Sequence, residues 1–263
     1  MKFLFIGDVV GKCGRTAVEK LLPDLKKEFG ASFVVINGEN VAGGNGLTGP
    51  CARDLLKYAD VITTGDHVWD QKGFESDIRN FDRVLRPANF SNKQPGKGFG
   101  IYDNLLGGQV AVIVLLGKVF MRESSYCPFE TADKIVSSLP GTVKNIIVDF
   151  HAEATSEKIA MAEFLDGRVT AVIGTHTHVR TADARILPNG TAALSDAGMV
   201  GAERSILGRD IASVLKKFTT GMPVRFPVVE QGTIRLDGCV VSYNHLTGKA
   251  DSINGFSRCI EIQ

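Results

Sequence analysis

Six short apolar runs constrain the fold of this chain more than any other feature of its sequence. They are rich in β-branched residues and several end in glycine, which is typical of buried strands. Stretches with apolar residues at helical spacing lie between them, at residues 15–29, 52–59 and 156–165. The strand-like runs are residues 2–7, 33–38, 60–65, 110–117, 145–150 and 169–174. Strand followed by helix, repeated along the chain, predicts parallel pairing and a sheet covered on both faces.

The chain changes character beyond about Ile186. The segments TAALSD, VRFPVVEQGTIRL and CVVSYN are typical of short strands and turns, and they predict an antiparallel portion. A mixed α/β sandwich of two sheets is therefore expected rather than a simple doubly wound sheet. The 263 residues are 44% hydrophobic and contain no repeat or linker-like segment, so a single domain spanning residues 1–263 is expected.

Charge and cysteine content indicate the compartment and the class of partner. Lys and Arg total 30 against 29 Asp and Glu, so no field of one sign would attract nucleic acid or an anionic membrane. The first apolar stretch is interrupted at Asp8, too early for a signal peptide or a membrane span. Five cysteines without a C-x-x-C pair predict reduced thiols rather than disulfides or a zinc knuckle. The pattern indicates a cytoplasmic protein.

Side chains that could bind metal follow the carboxyl ends of five predicted strands. In open parallel sheets these ends line the crevice where ligands bind. In the His-Thr-His segment, alternate residues of an extended chain would point the same way and reach one metal cluster. The fifth histidine, His245, is predicted to be a turn residue. The candidate residues are Asp8, Glu39, Asn40, Asp66, His67, His151, His176 and His178.

Each candidate also has an ordinary structural interpretation. Asp8 alone would more often cap the following helix, Glu39 and Asn40 could form a polar turn, and His151 alone would more often be a core histidine bonded to a backbone carbonyl. His176 and His178 could form a polar ladder on a strand edge. Coincidence of five such groups at one edge of the sheet favours a metal site.

The ligand types indicate which metals would bind. Three carboxylates, one amide and several imidazoles without a thiolate suit Mn²⁺, Fe or Zn²⁺. They are too many for one ion. Two ions roughly 3.5 to 4 Å apart, bridged by a carboxylate and a water, would use them all and bind both the attacking and the departing oxygen of a phosphoryl group.

The order and wording of these motifs resemble a known family. The segments GDVVG, GENVAGG, GDH, LRPANF, DFHAEATSEK, GTHTHV and SDAG are similar to those of the calcineurin-like metallophosphoesterases, and of their bacterial YmdB-type branch, over nearly the whole chain. The resemblance implies a four-layer αββα sandwich with mixed sheets and hydrolysis of phosphodiesters, including cyclic nucleotides.

The resemblance also implies a role for each candidate residue. Asp8, Glu39, Asn40 and His178 would hold the first metal, and Glu39, Asp66, His151 and His176 the second, with Glu39 as the bridge. His67 matches a histidine that is not a ligand and protonates the leaving oxygen.

Three positions depart from the family pattern. Asp66 stands where the family has Asn, Arg180 where Pro is usual, and Lys118 where Arg is usual. An ionised Asp adds negative charge and cannot donate a hydrogen bond. Asp66 is therefore predicted to tighten its metal and to weaken binding of an anionic substrate.

The leading hypothesis is a dinuclear-metal phosphodiesterase for small phosphodiesters such as 2′,3′- or 3′,5′-cyclic nucleotides. A hydroxide bridging the metals would attack phosphorus, with His67 as general acid. The alternatives are a regulatory or ligand-sensing protein with little turnover, and a phosphomonoesterase. Trp69 and Phe120 could stack on a base, although such aromatics more often lie in the core. Homo-oligomers are expected.

Overall fold

Two mixed β-sheets stacked face to face form the centre of the computed structural model, which describes residues Met1–Gln263. The strands are β1 (Lys2–Ile6), β2 (Asp8–Val9), β3 (Phe33–Asn37), β4 (Val61–Thr63), β5 (Val84–Leu85), β6 (Phe99–Asp103), β7 (Gln109–Leu116), β8 (Asn145–His151), β9 (Ala171–Thr175), β10 (Arg185–Ile186), β11 (Ala192–Leu194), β12 (Met199–Ala202), β13 (Gly232–Tyr243) and β14 (Ala250–Ile262). The helices are α1 (Gly11–Phe29), α2 (Gly49–Leu55), α3 (Phe74–Asp77), α4 (Pro128–Ser138), α5 (Thr155–Phe164) and α6 (Ile211–Thr220).

Parallel pairing forms the middle of both sheets. The first sheet has the order β2-β12-β13-β1-β3-β4-β5, with β14 also paired to β13. Strands β1, β3, β4 and β5 run parallel, whereas β13 is antiparallel to β1, β12 and β14. The second sheet has the order β10-β11-β9-β8-β7-β6, and only its edge strands β6 and β10 are antiparallel. The carboxyl ends of the parallel strands therefore share one edge of each sheet.

Alternation along the strands divides the core into layers. In β1, Phe3 and Phe5 belong to the apolar cluster between the two sheets, while Leu4 and Ile6 pack in the cluster that includes α1 and α2. Successive side chains of a strand point to opposite faces. The first sheet is thus covered by helices on one face and by the second sheet on the other.

Strand β7 divides the opposite side in the same way. Val112 and Val114 face the cluster between the sheets, and Ile113 and Leu115 pack in a third cluster with residues of α4 and α5. Three apolar layers therefore separate helices, sheet, sheet and helices. This arrangement confirms the αββα sandwich with mixed sheets.

The predicted central elements are present, with shifted ends. All six predicted strand runs coincide with strands β1, β3, β4, β7, β8 and β9, and the three predicted helices coincide with α1, α2 and α5. Helix α1 begins at Gly11 rather than at residue 15. Helices α3, α4 and α6 have no counterpart among the predicted helices.

The carboxyl-terminal part needs a correction. Two short strands were expected around TIRL and CVVSYN, but β13 is one strand of 12 residues that pairs with β14 along its length. Asp237 lies in the middle of β13 and is buried. Its carboxylate is compensated there by hydrogen bonds that it accepts from Arg235 Nε at 3.0 Å and from Ser257 Oγ. Residues 224–231 lie outside the strands, and β11 is parallel to β9 rather than antiparallel.

Two further sequence features have direct counterparts. All five cysteines are free thiols, and His245 lies in an exposed turn. None of the helices combines the length and the apolar content that a membrane crossing requires.

Candidate metal centre

The eight predicted residues come together at the carboxyl ends of five strands. These strands belong to both sheets, β1, β3 and β4 to the first and β8 and β9 to the second, so the expectation of a single sheet edge is wrong and the edges of two sheets contribute. Asp8 follows β1 and opens β2, Glu39 and Asn40 follow β3, and His151 ends β8. Asp66 and His67 open a single 3-10 turn after β4, and His176 and His178 follow β9. Each of the eight lies within 4.0 Å of another member of the group.

Four of these residues form a tight inner group. Glu39, Asp66, His151 and His176 each offer one ligand atom, and these atoms lie within 4.8 Å of one another. His151 Nε2 is 3.0 Å from Glu39 Oε1 and 2.9 Å from Asp66 Oδ1. His176 Nδ1 is 3.0 Å from His151 Nε2 and 3.4 Å from Asp66 Oδ1. This is the set that the resemblance assigns to the second metal.

Asp8, Asn40 and His178 lie beside the inner group. The amide nitrogen of Asn40 is 3.1 Å from Glu39 Oε1 and 3.1 Å from His178 Nε2. His178 Nε2 is 3.9 Å from Asp8 Oδ1, a buried oxygen without a hydrogen-bond partner. Glu39 is thus adjacent to both groups, and the orphaned Asp8 oxygen suits a cation.

The hydrogen bonds behind His151 fix its tautomer. Thr175 Oγ1 donates to Asp149 Oδ1 at 2.7 Å, so its one hydroxyl proton is used. His151 Nδ1, at 2.8 Å from the same hydroxyl oxygen, must then be the donor. Nε2, which faces Glu39 and Asp66, is left with a lone pair in the neutral imidazole.

The other two candidate ligand histidines are held in the same manner. His178 Nδ1 lies 3.2 Å from the carbonyl oxygen of Leu207, which can only accept, so Nε2 faces Asp8 unprotonated in the neutral ring. His176 Nε2 lies 3.2 Å from the carboxylate of Glu153, and Nδ1 faces the inner group. Outer acceptors of this kind are the usual way in which proteins orient metal-binding imidazoles.

The electrostatics of the site are dominated by buried carboxylates. Burial raises the pKa of Asp8 well above its usual value. Burial alone would also raise the pKa of Asp66, but its contacts with the rings of His151 and His176 hold it well below its usual range. Burial lowers the pKa of His178, which favours the neutral ring that a metal requires. Burial opposes a charge on His151 as well, but Glu39 and Asp66 outweigh it and raise its pKa.

The donor set as a whole fits divalent cations. Buried carboxylates need a compensating positive charge, and oxygen and imidazole nitrogen ligands without sulfur suit Mn²⁺, Fe and Zn²⁺. In their neutral forms, His151, His176 and His178 already direct an unprotonated ring nitrogen toward the site that a cation would occupy.

His67 differs from the other histidines of the group. Its Nδ1 lies 2.8 Å from Asp70 Oδ2, and its Nε2 lies 3.8 Å from Asp66 Oδ2. Burial would lower its pKa, but the carboxylates of Glu39, Asp66 and Asp70 together raise it. Asp70 also accepts a hydrogen bond from the Asn45 side chain. His67 is therefore oriented at the rim of the group by a partner that lies outside it.

One local expectation about these residues is wrong. His176 and His178 have φ angles of 102° and 62° and lie in a bend after β9, so their convergence does not come from an extended segment. The alternative role of Asp8 as a helix cap is not observed, because Val10 is the N-cap of α1 and no side chain caps that helix.

The bend is held from behind by a buried ion pair. Lys158 Nζ lies 2.7 Å from Asp196 Oδ2, and both side chains are almost fully buried. The same carboxylate oxygen accepts hydrogen bonds from the backbone and hydroxyl of Thr177, at 3.0 and 2.8 Å. Asp196 therefore fixes the residue between the two histidines.

A cavity of about 390 Å³ lies between the surface and the eight candidate residues, here called the metal group. Its lining combines polar residues, among them His67, His176 and His178, with apolar residues, among them Leu207, Phe218 and Phe226. Trp69 and Phe120 do not line it. The Trp69 indole donates to Gln94 instead, and Phe120 is 84% exposed elsewhere.

Sequence reasoning missed several residues of the site. Glu153 and Asp196 lie inside the motifs DFHAEATSEK and SDAG, so the flanking sequence carried a signal. Leu207, Phe218 and Phe226 follow no motif, because they approach the site only through the tertiary fold.

Comparison with known proteins agrees with this geometry. Residues 4–256 match the model of the family described as YmdB-like protein. The chain is 46% identical over 254 residues to the 2′,3′-cyclic-nucleotide 2′-phosphodiesterase of Bacillus subtilis, covering 96% of this chain and 95% of that protein.

Solved structures extend the comparison to the fold. The crystal structure of a novel phosphatase from Mycoplasma pneumoniae superposes with a TM-score of 0.92 at 31% identity, covering 99% of this chain and 94% of that one. The calcineurin-like phosphoesterase YfkN of Bacillus subtilis shares the fold, with a TM-score of 0.52 at 12% identity over 99% of this chain and 90% of that one. The family match and the fold confirm the resemblance, and the chain belongs to the YmdB-like family.

Proposed function

We propose that this chain is a metal-dependent phosphodiesterase that hydrolyses 2′,3′-cyclic nucleotides. The carrying observation is the convergence of Glu39, Asp66, His151 and His176 on one point, with ligand atoms within 4.8 Å of one another. The names of the relatives from Bacillus and Mycoplasma support hydrolysis of phosphoesters. The Bacillus name supports the cyclic nucleotide as substrate and the bond to the 2′ oxygen as the one that breaks.

Two ions, Mn or Fe in preference to Zn, would be held by the residues described above. Asp8, Glu39, Asn40 and His178 would hold one, and Glu39, Asp66, His151 and His176 the other. When bound, such cations offset the charge of the phosphoryl oxygens and favour ionisation of water near neutral pH.

The proposed role of His67 is to supply the proton that the leaving oxygen needs. In hydrolysis the oxygen of water bonds to phosphorus, the bond from phosphorus to the ribose 2′ oxygen breaks, and that oxygen takes a proton. Nδ1 of His67 is held by Asp70 at 2.8 Å, which directs Nε2 away from Asp70. A positioned acid of this kind contributes roughly 10²- to 10⁴-fold in rate. The product would be a nucleoside 3′-phosphate.

The carboxylates near the cavity disfavour a monoester more than a diester. The half-exposed Glu153 lines the cavity and lies 3.2 Å from His176, and Asp66 adds a second carboxylate nearby. A phosphodiester carries one negative charge, whereas a monoester carries nearly two at neutral pH. Repulsion by these carboxylates therefore acts more strongly on a monoester.

Substrate comparison tests the proposal. With Mn²⁺ added, adenosine 2′,3′-cyclic phosphate should be hydrolysed faster than adenosine 3′-phosphate and adenosine 3′,5′-cyclic phosphate, with adenosine 3′-phosphate as the product, identified by chromatography. His245→Ala, in an exposed turn, serves as a control that should keep full activity. Hydrolysis of the monoester alone would identify a phosphatase, and tight metal binding without turnover would identify a regulatory protein.

A further inference from the structure

The lining of the cavity at the metal group is part polar and part apolar. The polar residues include Glu39, His67 and His178. The five apolar residues, here called the apolar wall, are Ile206, Leu207, Val214, Phe218 and Phe226. A volume of about 390 Å³ lies in the usual range for small-molecule sites. A ligand that fills the cavity must therefore combine a charged group with an apolar, flat or bulky part.

The aromatic residues of the apolar wall are unusually exposed. Phe218 is 77% exposed and Phe226 is 37% exposed. Helix α6 buries only Val214, and Phe218 lies one turn further on the same face of the helix. Two phenyl rings beside a polar cluster offer stacking area without any hydrogen-bonding group.

Hydrogen bonds fix the apolar wall relative to the metal group. The carbonyl oxygen of Leu207 accepts from Nδ1 of His178 at 3.2 Å. Leu207 has a φ of 54°, a conformation that few non-glycine residues adopt. Arg209 donates to the carbonyl oxygens of Phe226 and Gly44. The wall is therefore tied to a candidate metal ligand through Leu207 and to the loop around Gly44, which follows Asn40, through Arg209.

We propose that the apolar wall is a nucleobase subsite, in which the base stacks on Phe218 or Phe226 while the cyclic phosphate lies beside the metal group. The inference rests on the proposed function and adds that contacts with the nucleobase contribute to substrate affinity. Stacking on phenyl rings uses the face of a base and not its edge, so every base is accepted and purines, with the larger face, are preferred.

A substrate without a base separates this subsite from the chemistry. The probes are adenosine 2′,3′-cyclic phosphate and methyl riboside 2′,3′-cyclic phosphate, assayed with Mn²⁺. Wild type should prefer the adenosine substrate in kcat/KM by roughly tenfold or more, the effect of one stacked base. Phe218→Ala and Phe226→Ala should lose most of that preference through KM and leave the methyl riboside reaction unchanged.

Matched variants control for damage to α6. Leu215→Ala changes a half-exposed residue of the same helix that does not line the cavity, and it should keep the preference. Phe218→Tyr keeps the ring and should do the same. Loss of the preference in Leu215→Ala, or equal loss on both substrates in Phe218→Ala, would overturn the subsite.

Two further outcomes separate the inference from the proposed function. Equal hydrolysis of both probes by wild type would overturn the subsite and leave the diesterase function intact. Hydrolysis of neither probe would overturn the proposed function, and the subsite with it. An unchanged preference in Phe218→Ala together with a smaller oligomer on size exclusion would assign the apolar wall to a second copy of the chain.

Discussion

At the level of single residues, the metal group depends on a position that has no side chain. Gly65 precedes Asp66, and a Cβ atom placed there would lie 2.2 Å from Glu39 Oε2 and 2.4 Å from His151 Nε2. Neither neighbour can withdraw without giving up its place in the inner group, since both are buried. In such close packing, the volume of even one added methyl group displaces the surrounding atoms.

Gly65→Ala is therefore expected to lower metal affinity by at least tenfold while the protein stays folded. Competition with a fluorescent chelator measures the affinity, and circular dichroism checks the fold. Gly141→Ala is the matched control, because no atom lies within 4 Å of a Cβ at that position. Unchanged affinity in Gly65→Ala would show that Glu39 and His151 are not ligands.

The histidines of the site should separate by function. His67→Ala should keep its metal and lose roughly 10²- to 10⁴-fold in turnover of a substrate with a poor leaving group, and much less with nitrophenolate as the leaving group. His178→Ala should lose metal first, because its Nε2 faces Asp8. Elemental analysis measures the metal content of both variants, and turnover is assayed with each of the two leaving groups. Equal metal loss in both variants would make His67 a ligand.

At the level of elements, the bend after β9 carries two candidate ligands in unfavourable backbone conformations. Non-glycine residues at positive φ cost roughly 1 to 3 kcal/mol each. Thr177, between the two histidines, is bonded twice to the carboxylate of Asp196. Lys158 in α5 neutralises that carboxylate. The second helix layer thus supports the position of the metal ligands.

Asp196→Asn should weaken metal binding roughly 10- to 100-fold, as loss of an outer partner does, and should also lower stability because Lys158 is left buried without its partner. Thr177→Val removes one hydrogen bond and keeps the ion pair, so it should weaken metal binding less and leave the melting temperature nearly unchanged. Asp183→Asn is the control, since Asp183 bonds Ser195 and not Thr177. Metal affinity that does not follow this order would limit Asp196 to a purely structural role.

The elements that the sequence predicted correctly are those with strong local signals. The central strands are continuous apolar runs because both faces of each sheet are covered. Strand β13 was divided in two because Asp237 and Gly238 resemble a turn, and only Arg235 and Ser257 explain why a carboxylate is buried there. Helix α6 escaped prediction because it buries a single residue.

The roles of the eight candidate residues stay predictions, whereas their proximity could be predicted from the sequence, because parallel strands within each sheet end at a common edge. The bend at His176 and the contact of His178 with Leu207 could not be predicted, because they depend on contacts between distant segments. Asp66 as a replacement for the family Asn, location in the cytoplasm and assembly into homo-oligomers stay predictions.

At the level of the whole molecule, we propose that residues 1–263 form one domain. The cluster between the sheets combines Phe3 and Phe33 from the start of the chain with Val112 from its middle and Cys239 and Ile253 from its end. Separation of any of these segments from the cluster would expose the apolar side chains of the others to water. Thermal unfolding without metal should therefore show one transition, coincident by circular dichroism and by tryptophan fluorescence. Two separated transitions would contradict a single domain.

Metal binding should stabilise this domain in steps that report the number of ions. The two ligand groups draw on segments from Asp8 to His178, so the unfolded chain cannot form them and each ion binds the folded state alone. At free Mn²⁺ one hundred times its dissociation constant, each site adds about 2.7 kcal/mol to the free energy of unfolding.

Wild type purified without chelator and with Mn²⁺ should contain close to two ions per chain. Asp66→Ala and His178→Ala should each retain about one, and their rise in melting temperature with Mn²⁺ should be about half that of wild type. Elemental analysis and calorimetry must agree, and fewer than half an ion per chain in wild type would exclude the dinuclear centre.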